Sequence, residues 1–102
     1  MRHIDRTMTA GVLNEFQGAF DTHAVEKRVL RLHTEAFARE LLEFSQHGPD
    51  PLTQSSAQLG RWIDREFQGQ ITQTQKVTSA NLAGDEVSNQ QWRRSNPSQP
   101  IA

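Results

Sequence analysis

Apolar side chains recur at helical spacing from residue 9 to residue 67, and then the pattern changes. Ile71 to Arg94 is a run rich in Gln, Thr, Ser and Asn that ends in Trp92-Arg93-Arg94. Within the first part, Val12, Leu13, Phe16 and Phe20 predict an amphipathic stretch over about 9–18, weakened by Gly11 and Gly18. Asp21 is placed to cap a second helix running to about Leu32. Phe20, just before that cap, can pack on Val25, and Val25, Val29 and Leu32 share a face. Thr34 is the next candidate cap, followed by Glu35 in the first turn, where the helix dipole favours an anion. Phe37, Leu41 and Phe44 form the apolar stripe of that helix, with Ala38 and Leu42 widening it, and Gly48-Pro49 ends it.

Asp50-Pro51 has the cap-then-proline order of a helix start. The apolar line of this fourth segment is Leu52, Leu59, Ile63 and Phe67, with Ser56 and Gly60 on the same side. A glycine inside a helix costs about 1 kcal/mol relative to alanine, so Gly60 predicts a close approach by another backbone. The opposite face carries Gln54, Gln58, Arg61 and Arg65, and Gly69 fits the stop.

Beyond Gly69 two parses compete. One gives strands over 76–82 and 87–92 joined by the turn Ala83-Gly84-Asp85-Glu86. In the other, Ser88-Asn89-Gln90-Gln91 is a capping box that starts a short helix carrying Trp92. The fold expected is therefore mainly α: a small bundle of three to four helices with a short C-terminal β-hairpin or irregular segment. Helices at about 22–32, 35–47 and 52–67 followed by a hairpin at 76–92 resemble the winged-helix class in the order of the elements, with no residue motif in support. The expected organisation is a flexible N-terminus over 1–8, one helical domain over 9–94 with its polar element from about 71, and a disordered tail over 95–102.

Composition narrows the function classes. The chain has 102 residues, 34% hydrophobic and 23% charged, enough for one modest core. No apolar run approaches the roughly 20 residues that cross a bilayer, and Met1 to Arg6 lacks the apolar segment of a signal peptide, so a cytoplasmic protein without membrane contact is expected. The absence of cysteine excludes disulfides, thiolate zinc sites and a cysteine nucleophile. His3, His23, His33 and His47 form no H-x3-H or H-E-x-x-H spacing, so no metal or other cofactor is expected. The serines sit in no G-x-S-x-G elbow, the glycines form no phosphate loop, and Glu40 and Glu43 read as solubilising, which points away from an enzyme.

Two binding readings remain. In the first, the protein acts through a protein partner or self-association, with Trp92-Arg93-Arg94 as the anchor, since tryptophan and arginine are enriched in hot spots. Against it stands the reading of Trp92 as a lid on the helical core. In the second, DNA is the ligand: Gln54, Gln58, Arg61 and Arg65 supply groups that read base edges, and Lys76, Arg93 and Arg94 contact phosphates. The net charge of −1 and the acids Asp64, Glu66, Asp85 and Glu86 oppose that reading.

Overall fold

The computed structural model describes residues 1–102. In chain order the elements are α1 (Arg6–Leu13), β1 (Phe20–Asp21), α2 (Thr22–Leu32), α3 (Thr34–His47), α4 (Pro51–Glu66), β2 (Ile71–Ala80) and β3 (Glu86–Arg94). No helix is long and apolar enough to cross a membrane.

Caps set most of the helix limits. The Asp5 carboxylate accepts the Met8 N–H at 2.8 Å and starts α1, so this helix begins earlier than its apolar spacing indicates and stops at Leu13. Phe16 and Phe20 leave the helix and stack on each other at 4.8 Å between ring centroids. Asp21 caps α2 by accepting the Ala24 N–H at 2.8 Å. His33 precedes α3 without a side-chain cap, and the Thr34 hydroxyl instead donates back to the Leu30 carbonyl at 2.6 Å. Ala38 and Leu42 face solvent rather than widening the α3 stripe. Asp50 holds a left-handed conformation, φ 56°, which aspartate tolerates, and its carboxylate accepts the Thr53 hydroxyl at 2.7 Å.

The expectation of a mainly α bundle with a short C-terminal hairpin or irregular segment, winged-helix-like in its order, is overturned by the sheet. The chain is 48% helix and 22% strand, and three antiparallel strands form a core element. Their order is β1-β3-β2. β1 pairs Phe20 with Trp92 and Asp21 with Gln91, while β2 pairs with β3 from Ile71↔Arg94 to Ala80↔Glu86. Two features hid this sheet. β1 is only two residues long, too short for a period-two pattern. In β2 the register shifts between Gln73 and Lys76, and such a bulge breaks the alternation of faces.

β3 is the central strand, and its Trp92 is 1% exposed. The ring lies 6.2 Å from Phe20, so the lid on the helices is a sheet centred on this side chain. Phe37, Leu59, Ile63, Phe67, Val25 and Val29 complete the interior, each 0% exposed. Both ends of the chain join it. Ile4 and Ile101 are buried. Asn14 clasps Ile101 by its backbone, donating to the carbonyl at 2.9 Å and accepting the N–H at 2.8 Å. Buried Glu40 accepts the backbone N–H groups of His3 and Ile4, and Glu43 meets Arg2 at 3.1 Å, so this acid pair fixes the N-terminus.

Candidate functional site

α4 and the β2–β3 hairpin stand apart enough to leave a groove of about 500 Å³. Seventeen residues line it and only three, Ala57, Val87 and Trp92, are hydrophobic. Its helical wall is the α4 face carrying Thr53, Ser56, Gly60, Arg61 and Asp64, and its other wall includes Gln73, Lys76, Ser88 and Gln90. Thr22 and His23 at the start of α2 close one side. Gly60 belongs to this wall. A Cβ there would meet the Thr22 side chain at 3.4 Å, an ordinary contact, so the backbone approach anticipated from the glycine does not occur. The buried small residue of α4 is Ser55, one position away from the Ser56 that the wheel selected.

A polar network ties the hairpin to α2. Asn89, 8% exposed, accepts the His23 N–H at 2.9 Å and donates to the Val77 carbonyl at 3.2 Å. The Ser79 hydroxyl donates to the Asp21 carboxylate at 2.7 Å and lies 2.8 Å from His23 Nδ1. With its one proton on Asp21, Ser79 can only accept from the ring, which puts the imidazole hydrogen on Nδ1. Serine therefore sits between aspartate and histidine, whereas nucleophilic activation needs histidine in the middle. Burial lowers the His23 pKa below its ordinary value, opposed by the Asp21 carboxylate. Beneath the groove Glu26, 1% exposed, accepts the Ser55 hydroxyl at 3.3 Å through one oxygen, and its other oxygen has no partner. Burial pushes its pKa up to about 7. No three His, Asp or Glu side chains come together as metal ligands.

The residues singled out in the sequence are distributed unevenly around this groove. Arg61 and Lys76 line it on opposite walls and are exposed, and Trp92 is its floor rather than an outward anchor. Gln58 and Arg65 are exposed elsewhere on α4. Gln54 turns inward to the α3–α4 corner and donates to the Pro49 carbonyl at 2.9 Å. Arg93 is exposed on β3 beside Thr72, and Arg94 donates to the Gln99 carbonyl at 2.6 Å. His23, Ser79 and Asn89 had no local signal, because they meet across separations of 56 and 66 residues.

Carboxylate pairing of the cations differs by region. Arg2, Arg6, Arg28 and Arg39 each lie within 4 Å of a carboxylate, whereas Lys27 and Arg31 of α2 do not. None of Arg61, Arg65, Lys76, Arg93 and Arg94 does, so every cation of α4 and the hairpin is unpaired. The acids nearby are partly engaged: Asp64 accepts from Gln73 at 2.8 Å and from Trp92 Nε1 at 3.3 Å, and Glu66 lies 3.6 Å from Arg6. Comparison with protein-family models, curated proteins and solved structures finds no match.

Proposed function

We propose that this is a non-enzymatic, cytoplasmic binding protein that engages DNA with the exposed face of α4 and the adjoining hairpin. The observation that carries the reading is that Arg61, Arg65, Lys76 and Arg93 are exposed on these elements without a carboxylate partner, Arg61 and Lys76 of them lining a polar groove. Guanidinium groups without a carboxylate partner are available for phosphate contacts. Gln58, exposed on α4 outside the groove, presents a hydrogen-bonding group of the kind that reads base edges in a major groove. The alternative, a protein partner or self-association anchored on Trp92, loses support because that ring is 1% exposed. The exposed large apolar side chains are Leu32, Leu42 and Val87, on three different elements, and a protein interface draws its energy from a contiguous apolar centre.

Fluorescence anisotropy against mixed-sequence duplex DNA tests the reading, with salt raised from about 50 to about 200 mM. Binding should weaken steeply with salt, and Arg61→Ala and Arg65→Ala should each lower the slope of log affinity against log salt by about 1. Absence of binding at the lowest salt, with a folded protein, would reject DNA as the ligand. A solution mass above that of one chain, combined with no DNA binding, would restore the self-association reading.

A further inference from the structure

Of the groups around the groove, His23 is the one whose role the fold does not exhaust. Its backbone N–H and Nδ1 are both committed, to Asn89 and Ser79. Its Nε2 has no protein partner. The buried side-chain polar atoms that lack a partner are Glu26 Oε1 and Arg94 Nε, so Nε2 keeps a little exposure although the residue as a whole is only 2% exposed, and His23 lines the groove. The Asp21–Ser79–His23 relay therefore holds an imidazole whose Nδ1 is committed and whose Nε2 keeps its lone pair.

We propose that His23 is a binding residue of the groove, taking a proton on Nε2 and donating it to a phosphate oxygen when a nucleic-acid backbone occupies the groove. This rests on the DNA reading above and adds to it one contact and one proton. The proton comes from solvent, Nδ1–H stays on Ser79, and the imidazolium donates at both nitrogens. Arg61 and Lys76 on the two walls supply the charge that brings the phosphate in. Charged groups act on the ring from every side. Asp21 of β1 and Glu86 of β3 favour the imidazolium, and Lys27 of α2 opposes it. Asp64 of α4, Asp85 of the hairpin turn, Arg61 and Lys76 line the same groove. In the free protein burial keeps the ring neutral, and an incoming phosphate reverses that balance.

The consequence for affinity has a definite sign. The ring's midpoint is lower in the free protein than in the complex, so binding is tightest below the free midpoint. That advantage is lost as pH rises through the bound midpoint, by up to about tenfold per pH unit between the two. Two measurements test this. Nitrogen-15 NMR of the full chain, alone and with inorganic pyrophosphate, reads the tautomer and midpoint of His23. Nδ1–H in the free protein and an upward movement of the midpoint with the anion are expected. A free ring protonated on Nε2, or a midpoint that ignores the anion, overturns the proposal whether or not DNA binds. Anisotropy with duplex DNA at fixed ionic strength is then followed across pH for the native protein and for His23→Asn, whose amide retains the donor to Ser79 and lacks a titrating nitrogen. Steeper loss of affinity with pH in the native protein supports the contact. Equal slopes, with DNA binding intact and equal melting temperatures, overturn the role of His23 and leave the DNA reading standing. Failure of DNA to bind while pyrophosphate moves the midpoint rejects that reading and retains an anion-responsive histidine.

Discussion

Between Met1 and His47, Arg2, Arg28 and Arg39 lie against Glu43, Glu15 and Glu35, and Arg6 reaches across to Glu66. Between Pro51 and Arg94, no arginine or lysine meets a carboxylate. The two regions have similar charge content, with six cations and eight acids in the first fifty residues and five and four in the rest. Composition therefore does not separate them, and arrangement does. Exposed ion pairs of the first kind contribute about 0–1 kcal/mol each, so their absence costs α4 and the hairpin little stability. It leaves their exposed cations without a carboxylate partner, available to an anion. The N-terminal region pairs four of its six cations with carboxylates, and the α4–hairpin region pairs none and turns several polar groups toward a groove.

The strongest challenge to that division is at the seam. Trp92→Ala should lower stability by about 3–5 kcal/mol in urea titration, since the ring joins β3 to Phe20 and α4. A loss under about 1 kcal/mol would mean that the sheet is an accessory and not part of the core. Next comes Glu26, whose neutral form is favoured in the folded protein. Its folded pKa of about 7 lies above the ordinary glutamate value, so the protein loses stability as pH rises from the unfolded value to the folded one. Glu26→Gln should therefore gain about 3 kcal/mol near pH 8, shrinking toward zero as pH falls to the ordinary glutamate range. A pH-independent gain would mean that the buried carboxyl is not the titrating group.

Removing residues 96–102 should cost about 2 kcal/mol, chiefly the burial of Ile101 and its clasp by Asn14. An unchanged melting temperature would return the tail to the disordered class. The regional contrast itself is sharpened by a pair of variants. Arg61→Ala should weaken DNA binding about tenfold at low salt, whereas Arg39→Ala, paired with Glu35, should leave it unchanged. Equal losses would dissolve the distinction between paired and unpaired arginines. The smallest effect is expected at Gly60→Ala, a gain of up to about 1 kcal/mol in thermal unfolding, because the added methyl meets Thr22 at an ordinary distance.

Local chemistry made much of the helical region legible. Asp21 and Asp50 cap α2 and α4, and Pro51 follows the second cap. These signals act within one turn and survive any tertiary arrangement. α1 was misplaced because Val12 and Leu13 belong to a helix while Phe16 and Phe20 belong to the turn and strand after it, and one spacing fits both. The site was legible in part. Arg61 and Lys76 line the groove, while Trp92, whose position in the sequence fits an anchor or a lid, lines it from within the core. Gln54 stands on the expected face and bends back to its own corner.

The amino-acid sequence by itself determined where α2, α3 and α4 start and stop, that stability depends on packing without disulfides, and which arginines project from α4. Tertiary structure alone decided that β1 pairs with β3, that Glu26 and Glu40 are buried, and that Asp21, His23, Ser79 and Asn89 form one network. The reason is range. Caps and periodicity are interactions between residues a few positions apart, whereas these pairings join distant residues whose identities carry no mark of their partners until the core brings them together.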